Sequence, residues 1–145
     1  METKTTTPVT ADTIEREVRI AARPETVFDL WVDPAKIVTW MGESATTFDA
    51  RPGGAIRLDY GKGDVMLGTF VEVARPRRLV FTWGWEKPAD PTPVAESRVE
   101  VDIEPDGTGS ILRLRHSGLD PDAVAAHAQG WDHFLGRLVD LAATA

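Results

Sequence analysis

Apolar and polar residues alternate near the start of the chain, where Ile14 and Val18 fall in phase against charged neighbours. A period of two residues is typical of a half-buried strand, which we predict over about residues 13–20. The Thr-rich stretch before it holds few sizeable apolar side chains that could offset the entropy cost of ordering. We therefore expect residues 1–12 to be a flexible tail and residues 13–145 to form a single domain.

After this strand, apolar residues recur at the spacing of a helix. Pro24 is suited to a first helical position. Val27, Leu30 and Trp31 then recur at helical spacing. The dipeptide Asp33-Pro34 offers a second helix start directly afterwards. The pattern therefore predicts two short helices between the first strand and the rest of the chain.

Short alternating runs separated by turn signals come next, as in an antiparallel meander. The clearest turn is the sequence RPGG at residues 51–54. Pairing Ala50 with Ile56 across this turn places Phe48 opposite Leu58 and keeps the charged neighbours on the solvent face. We predict a hairpin in this register.

A second hairpin is predicted with Val73 opposite Leu79. Three further inward pairs follow from that register: Val71 with Phe81, Thr69 with Trp83, and Leu67 with Trp85. One face of the sheet then collects nearly all the large side chains. In this register Phe70 is expected on the solvent face.

The segment Glu86–Ala95 contains three prolines, which cannot donate to a strand ladder, so it is predicted to be a surface loop. A final hairpin follows it. Its register places Asp102 opposite Arg113 and Glu100 opposite Arg115 on the solvent face. These charged pairs are expected to be structural.

The last part of the sequence has the period of an amphipathic helix. Asp120 is a suitable N-cap before Pro121, and apolar residues then recur by fours and threes up to Ala142. The helix is predicted over about residues 121–143. At 1.5 Å per residue it would be roughly 33 Å long, which is enough to cross a sheet face.

These elements predict an α+β fold in which the long helix covers the apolar face of an antiparallel sheet. The element order is accompanied by a set of short motifs: Asp33-Pro34, Trp40, Arg51-Pro52-Gly53-Gly54, Gly68, Pro76 with Leu79, Trp83, His116-Ser117-Gly118-Leu119, and Gly130-Trp131 with Leu135. The whole pattern, over about residues 13–143, resembles the START-like helix-grip superfamily, also called SRPBCC. Within it, the chain is similar to single-domain relatives of the activator of the heat-shock-protein-90 ATPase. The resemblance implies a curved sheet that grips the long helix, with a ligand-sized cavity between them.

The composition excludes some classes of binding partner. The chain has 16 Lys and Arg against 23 Asp and Glu, a formal net charge of −7, which is the wrong sign for binding nucleic acid or anionic membranes. No apolar run reaches the 18 residues of a membrane span, and the first residues lack the features of a signal peptide. The chain contains no Cys, which excludes disulfides and thiolate sites and suits a reducing compartment. We therefore expect a cytoplasmic protein.

The inward-facing residues of the predicted sheet and helix are the candidate ligand contacts. They combine aromatic rings with a few polar groups, as a site for a hydrophobic or aromatic small molecule requires. The predicted contacts are Leu67, Thr69, Phe81, Trp83, Trp85, His116, His127 and Trp131.

Three functions remain open. The lack of an assembled catalytic set favours a binder without catalytic activity, and the three His have no spacing typical of metal ligands, so we expect neither metal nor cofactor. The alternative enzyme is a cyclase or hydrolase in which His116 supplies a proton. A third possibility is an interaction module, either a co-chaperone-like protein or a homodimer formed through a sheet edge and the terminal helix.

Overall fold

The computed structural model describes residues 12–86 and 97–144. Residues 1–11 of the predicted tail and residues 87–95 of the predicted proline-containing loop lie outside these ranges. Within them, the order of elements agrees with the sequence pattern.

Seven strands and three α-helices make up the described fold. The strands are β1 (Ile14–Ile20), β2 (Ser44–Phe48), β3 (Ala55–Asp59), β4 (Val65–Ala74), β5 (Arg78–Glu86), β6 (Ser97–Asp106) and β7 (Gly109–Ser117). The α-helices are α1 (Pro24–Val32), α2 (Pro34–Ile37) and α3 (Val124–Ala142), and a 3-10 turn, Pro121–Ala123, precedes α3. The helix starts agree with the capping signals, because the Asp33 carboxylate accepts a hydrogen bond from the Ala35 amide at 2.8 Å.

The strands form one antiparallel sheet in the order β1-β7-β6-β5-β4-β3-β2. Helix α3 packs against the inner face of this sheet and buries Trp131, Leu135 and Leu138, each at most 2% exposed. This is the predicted α+β helix-grip architecture. Among the helices of the described ranges, none is both long and apolar enough to cross a membrane.

The register between β4 and β5 differs from the prediction at a bulge. Val73 lies opposite Leu79 as expected, but the register shifts by one residue between Phe70 and Glu72. Phe70 therefore lies opposite Phe81. A shift of one residue exchanges the two faces of a strand. Phe70, expected on the solvent face, is 1% exposed, whereas Val71 is 40% exposed.

The bulge also corrects the positions of two predicted ligand contacts. Leu67 lies opposite Gly84 instead of Trp85, and Thr69 donates its amide hydrogen to the Thr82 hydroxyl at 2.9 Å. Both residues are on the strand face opposite the one that carries Trp83 and Trp85. The prediction that they face inward was wrong because it assumed an unbroken ladder.

Two backbone hydrogen bonds of Phe70 fix the position of the bulge. Its carbonyl accepts a hydrogen bond from the Gly53 amide at 2.8 Å, and its amide donates to the Gly54 carbonyl at 2.8 Å. The turn between β2 and β3 thus holds β4 at this residue. Burial of the larger phenylalanine ring in place of a valine adds apolar area to the core.

The β2–β3 hairpin is shifted by two residues from the predicted register. Phe48 lies opposite Ile56, with a further irregularity between Ala45 and Thr47, so Ala50 belongs to the turn. A two-residue shift leaves each side chain on its predicted face. The turn is closed tightly at Gly54, where a Cβ atom would stand 1.8 Å from the Asp49 carbonyl oxygen.

The final hairpin has the predicted register, with Asp102 opposite Arg113. The side chains nevertheless form ion pairs with other residues. Arg113 binds Glu17 at 2.8 Å and Glu104 at 2.9 Å, while Asp102 binds Arg78 at 2.9 Å. The outer face therefore carries two groups of ion pairs, one around Arg113 that joins β1, β7 and β6, and one around Arg78 that joins β4, β5 and β6.

Candidate functional site

The inner face of β5 carries the predicted aromatic row. Phe81 and Trp83 are buried, and Trp85 is half-buried. Trp83 is the centre of the cluster, since its ring centroid lies 5.7 Å from that of Trp85 and 5.3 Å from that of Trp131 on α3. Phe81 lies deeper, packed against Phe70 at 6.2 Å, and belongs to the core.

His116 on β7 is fully buried beneath this cluster and has hydrogen bonds at both ring nitrogens. Its Nδ1 lies 3.0 Å from Nε1 of Trp131, and indole nitrogen can only donate, so Nδ1 is the acceptor. The ring proton is therefore on Nε2, which donates to Oγ of Ser97 at 2.6 Å. The Ser97 hydroxyl in turn donates to the Trp83 carbonyl at 3.0 Å.

This arrangement keeps His116 neutral and prevents it from acting as a base toward Ser97. Burial, together with the nearby His127 ring, lowers the pKa of His116 from 6.5 to about 3. A general base needs a free lone pair directed at the nucleophile, and here the nitrogen beside Ser97 already carries the proton. The hydrogen bonds of His116 to Ser97 and Trp131 thus position β6, β7 and α3 against one another.

His127 on α3 forms a bridge to the sheet. Its Nε2 accepts a hydrogen bond from Nε1 of Trp85 at 3.0 Å, and its Nδ1 donates to the Ala123 carbonyl at 2.8 Å. Both ring nitrogens are engaged, so the ring orientation is fixed. The Trp85–His127 bridge crosses the opening between sheet and helix.

Open space lies on both sides of that bridge. On one side is a cavity of about 370 Å³, called here the aromatic cavity, and on the other a space of about 340 Å³ toward the start of α3. Both are bordered by Trp83, Trp85 and His127. The aromatic cavity is also lined by Tyr60, Trp131 and Phe134. Of the eight predicted contacts, four therefore border the aromatic cavity.

Sequence reasoning missed Tyr60 and Phe134. Tyr60 directly follows β3 and is in phase with the buried Ile56 and Leu58, which is a signal that alternation could have provided. Phe134 lies three residues after Trp131 and therefore on the same side of α3. Their rings are 5.7 Å apart, so together they close one side of the aromatic cavity.

Two residues that line this cavity each have an unpaired polar group that is buried away from the open space. The Tyr60 hydroxyl and Trp83 Nε1 are buried, and neither has a hydrogen-bond partner in residues 12–86 or 97–144. Burial raises the pKa of the Tyr60 hydroxyl well above its usual 10.0, so the group remains protonated. A third unpaired donor, Trp31 Nε1, belongs to a ring that packs in the core against Trp40.

In the part of the chain that the structure describes, no group of three or more His, Asp or Glu side chains is placed to hold a metal ion. The polar side chains that line the aromatic cavity carry indole, imidazole and hydroxyl groups and one carboxylate, that of Asp64.

Comparisons with known proteins agree with this architecture. A family model described as "Activator of Hsp90 ATPase homolog 1-like protein" matches residues 21–143. The structure is similar to that of MLL2253 from Mesorhizobium loti, with a TM-score of 0.78 and 26% identity over 89% of this chain and 95% of that one. No curated protein matches the chain.

Two further solved structures share the fold at lower identity. DynU16, from the dynemicin biosynthetic locus, has a TM-score of 0.76 and 24% identity over 89% of this chain, but this chain covers only 46% of DynU16. The Aha1 dimer from Colwellia psychrerythraea has a TM-score of 0.76 and 16% identity, over 90% of this chain and 95% of that one.

Proposed function

The chain belongs to the Activator of Hsp90 ATPase homolog 1-like family and has the helix-grip fold, and on that premise we propose that it binds a hydrophobic or aromatic small molecule. The observation that carries this proposal is the aromatic cavity between the sheet and α3, whose volume is about 370 Å³. Ligand sites are concave and mostly apolar, with volumes of roughly 300–1,000 Å³. The contacts would be Tyr60, Trp83, Trp85 and Phe134.

Apolar burial would supply most of the affinity. At about 25 cal/mol per Å², a ligand that buries roughly 300 Å² gains about 7.5 kcal/mol before the cost of association. For a ligand of two or three rings, affinity from this burial alone is therefore at most micromolar.

The state of His116 supports binding over catalysis. A cyclase or hydrolase that uses this residue needs a proton to transfer, whereas both ring nitrogens are hydrogen-bonded inside the protein and burial lowers the pKa to about 3. In contrast, an apolar ligand needs only the space and the rings.

Filling the aromatic cavity tests the proposal. Gly130 on α3 lines the cavity, and a Cβ at this position would meet only Cε2 of Phe134, at 4.0 Å. In Gly130→Leu the new side chain occupies the space, so binding of the neutral fluorescent probe N-phenyl-1-naphthylamine is expected to weaken at least about tenfold. Replacing glycine within a helix also raises stability by about 0.8 kcal/mol, so lost binding would not reflect unfolding.

Gly136 provides the matched control. It lies on the same helix, is exposed, and a Cβ there has no neighbour within 4 Å. Gly136→Leu should give a similar gain in helix propensity and leave probe fluorescence titrations unchanged. Equal probe affinity in Gly130→Leu and the unsubstituted protein, or no binding by the latter, would show that the cavity is not the binding site.

We also propose that the protein forms a homodimer, as the Colwellia relative does. The sheet offers two edge strands, β1 and β2. Light scattering that reports twice the chain mass of 15.9 kDa would support the proposal, and a single chain mass at micromolar concentration would contradict it.

A further inference from the structure

The outer part of the aromatic cavity is walled by three half-buried rings, those of Tyr60, Trp85 and Phe134. The ring centroid of Tyr60 lies 5.3 Å from that of Trp85 and 5.7 Å from that of Phe134. The Tyr60 ring is inclined at 62° to both neighbours, so the three rings do not stack flat against one another. They border the same space from different directions.

One charged side chain lies beside these rings. Asp64 lines the aromatic cavity and is exposed. The turn after β3 holds it next to Tyr60, whose amide donates to the Asp64 carbonyl at 2.8 Å, while the Asp64 amide donates to the Gly61 carbonyl at 3.0 Å. Within residues 12–86 and 97–144, the Asp64 carboxylate forms no ion pair.

In the described part of the chain, no positive charge lines the aromatic cavity. Lys62 belongs to the same turn as Asp64 but is not among the lining residues. His127 is neutral, because its Nε2 accepts a hydrogen bond from the Trp85 indole, and a protonated imidazole has no acceptor. The lining therefore combines neutral rings with a single negative charge.

Both features favour a cation as the charged part of a ligand. The faces of aromatic rings attract an ammonium group that lies within about 6 Å of the ring centre, and aromatic sites are a common way to recognise quaternary ammonium ions. The Asp64 carboxylate adds attraction for the same charge. A ligand carboxylate or phosphate would instead be repelled, since the described lining offers no cation to balance it.

We infer that the aromatic cavity prefers hydrophobic cations, namely aromatic molecules with an attached tertiary or quaternary ammonium group. The aromatic part fills the cavity, and the charged group lies near the three outer rings and the Asp64 carboxylate. This inference rests on the proposed binding function and adds its ligand class. It also assigns Asp64 a role in ligand recognition.

A matched pair of ligands separates the charge from the shape. The cation (1-naphthylmethyl)trimethylammonium and the hydrocarbon 1-neopentylnaphthalene differ only in whether the branched group is centred on a charged nitrogen or on a carbon. The unsubstituted protein is expected to bind the cation about 5- to 10-fold more tightly, measured by displacement of N-phenyl-1-naphthylamine. Raising the salt concentration should weaken binding of the cation and leave that of the hydrocarbon unchanged.

Asp64→Asn tests the carboxylate. The substitution removes the charge and nearly keeps the size, so affinity for the cation should fall about two- to fivefold while the hydrocarbon binds as before. Asp140→Asn is the matched control. Asp140 is also exposed and is not among the residues that line the cavity, and its substitution changes the net charge by the same amount. This control should keep the full preference for the cation.

Phe134→Leu tests the rings. The leucine side chain remains apolar but has no aromatic face, so affinity for the cation should fall at least about twofold more than affinity for the hydrocarbon. The ratio of the two affinities within one variant does not depend on a general loss of stability, because unfolding would weaken both ligands equally.

Three results would overturn the inference. Equal or tighter binding of the hydrocarbon by the unsubstituted protein would reject the cation class and leave the proposed binding function intact. The same preference in Asp64→Asn as in Asp140→Asn, or in Phe134→Leu as in the unsubstituted protein, would show that these residues do not recognise the charge. Failure of both ligands and of N-phenyl-1-naphthylamine to bind would reject the proposed function as well.

Discussion

Replacing Trp83 with alanine is expected to abolish ligand binding and to lower the free energy of unfolding by about 3–5 kcal/mol. The ring is 4% exposed and contacts aromatic neighbours on three sides: Trp85, Trp131 and His116. Truncation therefore leaves a void at the point where β5, β7 and α3 meet. Since the same ring borders the aromatic cavity, the variant also loses its main ligand wall.

Arg113→Ala is the control from the opposite face of the sheet. Its partners Glu17 and Glu104 are about half exposed, as Arg113 itself is, and exposed ion pairs contribute roughly 0–1 kcal/mol. The free energy of unfolding of this variant, measured in urea, should lie within about 1 kcal/mol of that of the unsubstituted protein, and the variant should bind the probe normally. Loss of binding in Arg113→Ala with normal binding in Trp83→Ala would mean that the functional face of the sheet has been assigned wrongly.

The order of the elements could be predicted from the chain because each one has a local signal. The Asp33 and Asp120 caps, the alternation in β1 and the spacing of apolar residues in α3 are all readable within about ten residues. In β1 and α3, the apolar side chains that make the pattern are the ones that the fold buries wholly or in part.

The face of Leu67 and Thr69 could not be predicted in that way. Their orientation depends on the bulge beside Phe70, which is held by amide and carbonyl groups of a turn in a different hairpin. Alternation along β4 is consistent with either register, since both Phe70 and Val71 are apolar. The contact that decides between them is made only when the two hairpins pack together.

The hydrogen bonds of the site could also not be predicted from the sequence. The register of the final hairpin places Ser97 and His116 on the same face of neighbouring strands, but it does not reveal the 2.6 Å hydrogen bond between them. Likewise, the sequence contains Tyr60 and Trp83, but only their surroundings show that these two donors are unpaired. Candidate rings can therefore be found from hydrophobic phase, whereas their hydrogen-bond state requires the assembled cavity.

The buried His116 predicts how stability depends on pH. Its pKa is about 3 in the folded protein against 6.5 for the free side chain, so below pH 6.5 the unfolded chain binds a proton that the folded protein does not. The contribution of His116 to the free energy of unfolding is therefore fully present above pH 6.5. It falls by about 1.4 kcal/mol per pH unit as the pH decreases toward 3. Between pH 7.5 and pH 5.0 this residue should account for a loss of about 2 kcal/mol, measured by urea unfolding.

His116→Gln isolates this contribution. The glutamine amide can accept a hydrogen bond from Trp131 and donate one to Ser97, but it does not titrate. The variant should therefore lose about 2 kcal/mol less stability between pH 7.5 and pH 5.0 than the unsubstituted protein does. His133→Gln is the control, because His133 is exposed and should keep the full pH dependence. The carboxylates and His127, whose ring lies 5.7 Å from that of His116, are present in all three proteins. An equal loss in His116→Gln and the unsubstituted protein would show that His116 accepts a proton in the fold, and would return it to consideration as an acid in a catalytic mechanism.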